Sequence, residues 1–135
     1  MQSNKILWIG GVIVVAFIIW VATADSGPGE LDDFAGCLKD KGVIFYGAFW
    51  CPHCAAQKAR FGKSAELLPY VECSTPDSRG QLQICKDKNI TSYPTWDFPA
   101  SADPTGLATT TTRLTSEVEL VTLAEKTGCI LPERK

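Results

Sequence analysis

Apolar and polar positions follow two regimes along the chain. Residues 6–22 (ILWIGGVIVVAFIIWVA) are apolar on every helical face and carry no charge, with Trp8 and Trp20 near the ends. Such a run suits a lipid-facing helix better than a core helix, which in a domain this small keeps one face toward water. From residue 31 onward, short apolar stretches alternate with polar ones. Asp32 or Asp33 can cap a helix that runs through Leu38 and ends at Gly42. VIFYGAF (43–49) is a near-continuous run of branched and aromatic residues, the pattern of a strand covered on both faces. Residues 51–68 are rich in helix formers, with Pro52 in a position that a first turn tolerates.

The pattern then predicts a strand at 69–73, a polar turn at 74–80 and a short helix at 81–89. Strands follow at 95–98 and 108–114. Ser116 and Glu119 have capping-box spacing before a last helix through Lys126 to Gly128. The alternation of strands and helices predicts an α/β domain.

The N-terminal run admits two readings. Ala22-Thr23-Ala24 fits the cleavage site of a signal peptide. The apolar length favours an uncleaved transmembrane helix. Either way Lys5 stays inside while Asp25, Glu30, Asp32 and Asp33 follow on the far side. The expected organisation is an anchor or signal peptide at 1–24, a flexible tether at 25–30 and a folded domain at 31–135. That domain is expected outside the cytoplasm (periplasm, lumen or cell surface), attached to the membrane through its N-terminal helix.

Composition narrows the choice. Charged residues make up 21% and apolar residues 45% of the chain, which excludes a disordered chain. The net charge of −2, with no basic patch, argues against nucleic acid as a partner. Six cysteines fit an exported protein, where disulfides persist. His53 is the one histidine, so a His-rich catalytic centre is excluded.

The chemistry concentrates in Cys51-Pro52-His53-Cys54, where the apolar strand is predicted to give way to a helix. A helix N-terminus favours a thiolate, the second thiol can donate to it, and a protonated His53 adds positive charge. Thiols in such settings fall from a pKa of about 8.5 to as low as about 3.5. A stabilised thiolate makes the disulfide a stronger oxidant.

FWCPHC followed by SYPTW resembles the thioredoxin superfamily. The stretches FAGCLKDKGVIFYGAFWCPHCAAQKARFGKSA (34–65), YVEC (70–73), QLQIC (81–85), ITSYPTWDF (90–98) and LAEKTGC (123–129) are similar to the thioredoxin-like domain associated with vitamin K epoxide reductase homologues. The resemblance implies a three-layer α/β sandwich, a mixed central sheet flanked by helices. It implies protein-disulfide oxidoreductase activity on exported proteins with cysteine thiols. The membrane partner it implies is a vitamin K epoxide reductase-like protein that passes the electrons to a quinone. Cys51 matches the exposed attacking cysteine, Cys54 the resolving one, and Pro94 the cis-proline facing the disulfide. The Tyr93 backbone would then be free to pair with an extended substrate, and Trp50 would rim the groove. No bound cofactor is expected, the redox unit being the Cys51–Cys54 disulfide. One departure stands out: Phe45 occupies the position where thioredoxins proper carry a buried Asp, so no carboxylate is expected to take the Cys54 proton.

Cys73 and Cys85 bracket the polar turn, and a structural disulfide between them is favoured over a second redox pair. In such a fold the helices carrying Cys37 and Cys129 are expected on opposite faces of the sheet, which leaves their pairing open. Zinc on Cys51, Cys54, Cys73 and Cys85 is disfavoured by the spacing of the second pair, so no metal is expected. Phe49 is expected in the core, whereas Tyr93 and Trp96 suit the core or a substrate contact equally. Lys58, Arg60 and Lys63 read as a solvated helix face. Two further functions compete with oxidation: reduction of exported thiols, as in cytochrome maturation, and chaperone-like binding without turnover.

Overall fold

The structure, a computed structural model, describes residues 11–20, 27–100 and 111–133. Residues 11–20 are helical (α1) with their side chains exposed. The remainder of the expected span lies outside the described residues. Among the described residues no helix is long and apolar enough to cross a membrane.

The domain is built from α2 (Asp32–Asp40), β1 (Ile44–Gly47), α3 (Pro52–Ala59), a 3-10 helix (Gly62–Leu67), β2 (Tyr70–Glu72), α4 (Gln83–Asp87), β3 (Thr95–Phe98), β4 (Thr112–Thr115) and α5 (Leu120–Thr127). The strands form one sheet in the order β2-β1-β3-β4. β1 runs parallel to β2 and antiparallel to β3, which pairs antiparallel with β4. The mixed sheet with flanking helices is the expected α/β arrangement, and the most apolar run occupies an interior strand.

Strand alternation divides the core in two. Phe45 and Trp96, opposite each other in register, stack at 4.6 Å and join Phe34 and Leu38 of α2, Cys54 of α3 and Leu120 and Leu123 of α5. Tyr46 points the other way and packs with Cys73, Cys85 and Ile90. Helices α2 and α5 thus share a face, contrary to expectation, because both contribute apolar residues to the Phe45 side. Cys37 and Cys129 are therefore close enough to bond, with Cα atoms 5.9 Å apart. Cys73 and Cys85 are bonded on the other face, with Cα atoms 5.6 Å apart.

Several boundaries differ from the sequence pattern. The helix predicted over 51–68 stops at Ala59, and Gly62 with φ of 55° leads into the 3-10 turn. Leu31 rather than an aspartate caps α2, while Asp32 accepts a hydrogen bond from the Gly29 amide at 2.9 Å. The Leu31 amide donates to Ser64 Oγ at 3.0 Å, which ties the start of the domain to the 3-10 helix. The capping box does not form. Ser116 has a φ of 99°, and Glu119 is itself the N-cap of α5, with its carboxylate on Arg60 at 2.7 Å.

Candidate active site

Strand β1 ends at Gly47, and the chain leaves the sheet through a short turn in which the Cys51 amide donates to the Ala48 carbonyl at 3.0 Å. Cys51 is the N-cap of α3, with Pro52 at the first helical position, where its missing N–H costs no helix bond. The Ala55 amide donates to the Cys51 carbonyl at 3.1 Å, closing the first turn. This start places Cys51 and Cys54 on one side of α3, and both are free thiols. Neither is broadly exposed: Cys51 retains 6% of its surface and Cys54 2%. The expected exposed attacking cysteine is thus recessed, its sulfur 3.7 Å from the Tyr93 carbonyl oxygen.

The thiols differ in their surroundings. Burial pushes the Cys54 thiol up to about 12, and its hydrogen bond to Cys51 and the charge there push in the same direction. A backbone hydrogen bond at Ala48 and the nearby Lys58 ammonium oppose this without cancelling it.

The other candidate residues surround this pair unevenly. The Tyr93–Pro94 bond is cis, and Pro94 is buried. Tyr93 is half-buried; its hydroxyl accepts from Gln81 Nε2 at 2.7 Å, and its ring meets Trp50 edge-on at 6.2 Å. Trp50 is half exposed and donates through Nε1 to Ser74 Oγ at 2.7 Å. Phe49, expected in the core, is 57% exposed. It lies in the turn that follows the end of β1, with its amide directed to Glu72 Oε1 at 3.3 Å. Trp96 is wholly buried and contributes to the core alone. His53 is largely exposed, and its Nδ1 meets Glu117 Oε1 at 2.9 Å. That contact, with Arg60 beside it, holds the Glu117 carboxyl below the usual carboxylate range.

Three features escaped the sequence. Gln57 is fully buried and binds the Val118 backbone twice, accepting from its amide at 2.6 Å and donating to its carbonyl at 3.0 Å. It fastens α3 to the segment before α5. Lys58, read as part of a solvated face, has its ammonium 3.4 Å above the Tyr70 ring centroid. Glu72 also approaches the site from β2, accepting from Tyr70 Oη at 2.6 Å and from the Ser74 amide at 2.8 Å. A Tyr-x-Glu spacing on a strand puts both side chains on one face, which was the available signal.

Cys73 and Cys85 are bonded to each other, so the four-thiolate arrangement considered for zinc is not formed. Among the described residues no group of three or more His, Cys, Asp or Glu is arranged to hold a metal ion.

No protein-family model matches the chain. The chain is 39% identical over 101 residues to a protein of Arabidopsis thaliana named thiol-disulfide oxidoreductase LTO1. The match covers 71% of this chain and 24% of that protein, so the chain spans about a quarter of the relative's length.

Proposed function

We propose that this chain is a thioredoxin-like protein thiol–disulfide oxidoreductase that oxidises cysteine pairs in exported proteins. The observation that carries the reading is the pairing of two free thiols in unequal surroundings at the start of α3. Cys54 is buried and held protonated, while Cys51 keeps a small exposed surface beside the Tyr93 carbonyl. The 39% identity to a protein named for this activity gives independent support.

In the oxidised protein a substrate thiolate attacks Cys51 Sγ, and the Cys51–Cys54 bond breaks. Cys54 leaves as a thiolate and takes up a proton. A second substrate thiolate then attacks the substrate sulfur of the mixed disulfide, releasing oxidised substrate and the Cys51 thiolate. Two electrons have passed from substrate to the CPHC pair. In the proposed cycle a vitamin K epoxide reductase-like membrane protein returns the pair to the disulfide and passes the electrons to a quinone. The apolar N-terminal segment holds the domain at the membrane, outside the cytoplasm. Phe49, Trp50 and the Tyr93 carbonyl form the surface on which an extended peptide docks, and His53 tunes the potential.

A Cys54→Ala variant tests the exchange step. Incubated with a protein disulfide, it should accumulate mixed disulfides through Cys51, seen as shifted bands on non-reducing gels. Absence of any Cys51 adduct overturns the reading. Equilibration with glutathione tests the direction: a potential near about −120 mV supports oxidation, and one near about −270 mV overturns it in favour of reduction.

A further inference from the structure

Resolution of a mixed disulfide requires Cys54 to lose a proton, yet Cys54 is buried and Phe45 fills the place where a carboxylate was sought. A carboxylate reaches the site from a different strand. Phe45 and Gly47 of β1 pair in register with Tyr70 and Glu72 of β2, so all four positions share the sheet face that meets α3. A Cβ built on Gly47 would stand 2.9 Å from Cys54 Sγ, 2.8 Å from Tyr70 Cε2 and 3.4 Å from Tyr70 Oη. The glycine therefore leaves no side chain at residue 47 between the Cys54 thiol and the Tyr70 ring, which both lie over its bare backbone. The phenol already donates to Glu72 Oε2 at 2.6 Å, and Glu72 is half-buried with further backbone donors on its other oxygen.

The geometry points to Tyr70 and Glu72 as the proton route of Cys54, the hydroxyl passing the thiol proton to the carboxylate as Cys54 attacks. This rests on the exchange reading above. The charged and titratable groups around Cys54 are Cys51 and Lys58 on its own helix and the Tyr70–Glu72 pair on β2. Lys58, seated on the Tyr70 ring, stabilises negative charge on the thiol side. Burial and the bond to Glu72 hold the Tyr70 hydroxyl well above the usual tyrosine range, so it relays a proton and does not act as a standing base.

The step balances with a disulfide as co-reactant. The Cys51 thiolate attacks oxidised glutathione, giving Cys51–glutathione and one glutathione thiolate. The Cys54 S–H bond then breaks, Tyr70 Oη gains that proton and gives its own to Glu72. Cys54 Sγ bonds to Cys51 Sγ and the second glutathione leaves as thiolate. Glu72 returns the proton to solvent.

The test follows reduced full-length protein mixed with oxidised glutathione, quenched with acid at intervals and weighed by mass spectrometry. Wild type should form the Cys51 adduct and then lose it. Tyr70→Phe and Glu72→Gln should form the adduct at the wild-type rate and lose it roughly tenfold or more slowly. Their decay should also become steeper with pH, and added imidazole should restore part of it. A proton route speeds both directions alike, so the Tyr70→Phe equilibrium with glutathione should stay unchanged. Decay at the wild-type rate and pH dependence in both variants overturns the proposal. So does a change in adduct formation or in the equilibrium as large as the change in decay, because a merely structural role would move all three. Failure of wild type to form an adduct overturns the exchange reading itself.

Discussion

The same substitution, glycine to alanine, should have opposite effects at two positions. At Gly47 the new methyl group meets Tyr70 Cε2 at 2.8 Å and Cys54 Sγ at 2.9 Å. Neither neighbour can yield easily: Tyr70 is held between Lys58 and Glu72, and Cys54 is fixed on the buried side of α3. Overpacking of this kind costs about 1–3 kcal/mol, against about 0.4–1 kcal/mol gained by restricting the unfolded chain. A net loss of about 1–2 kcal/mol is expected. Gly36 lies inside α2 with nothing within 4 Å of its added Cβ. There alanine should gain the helix-propensity difference of about 0.8–1 kcal/mol. Urea unfolding of the two full-length variants, followed by circular dichroism, should separate them by about 2–3 kcal/mol. If Gly47→Ala is as stable as Gly36→Ala, the close approach of Tyr70 and Cys54 across β1 is wrong, and the proton route falls with it.

The two disulfides should differ in worth. Residue separations of 92 and 12 give loop-closure contributions of about 4.6 kcal/mol for Cys37–Cys129 and about 2.8 kcal/mol for Cys73–Cys85. Paired alanine variants compared by urea unfolding should keep that order; a reversal would mean that local packing dominates. Replacing Gln57 by Leu strands the buried Val118 amide and carbonyl, so a loss of about 2–4 kcal/mol is expected from the same measurement. Glu117 is held below the usual carboxylate range first by His53 and then by Arg60. In the acid window between its folded and unfolded pKa values the unfolded chain binds more protons, so stability is present above that window and lost as pH falls through it. His53→Ala should flatten this part of the stability–pH curve, and an unchanged curve would dissociate the pair from stability.

Strand positions were legible because burial imposes them: VIFYGAF and TWDF have the apolar content of interior strands, and β1 and β3 fall within them. The helix start at CPHC was legible because a proline after a buried strand marks a first turn by local rules. What escaped depended on partners distant in sequence. Gln57 reads as an ordinary helix residue, since its partner is a backbone 61 positions away. Ser116 and Glu119 have the spacing of a cap, but Arg60 takes the Glu119 carboxylate and the backbone at Ser116 turns to positive φ. Phe49 reads as core by hydrophobicity, yet it follows the last strand residue and the turn carries it outward. The break after Ala59 was hidden because Gly62 lies among helix formers on both sides.

The placement of the cysteines also bears on whether electrons pass through a second pair. Cys51 and Cys54 belong to the cluster on the Phe45 face of the sheet, whereas Cys73 and Cys85 belong to the cluster on the Tyr46 face. Thiol–disulfide exchange needs a thiolate to approach one sulfur of the target bond directly, so access decides which disulfides react. Cys73 and Cys85 each have 0% of their surface exposed. An incoming Cys51 or Cys54 sulfur would have to cross the sheet and open the packing around Tyr46 and Ile90. A cluster that seals a disulfide in this way favours a staple for the polar turn over a relay, so that in the proposed cycle electrons pass through Cys51 and Cys54 alone.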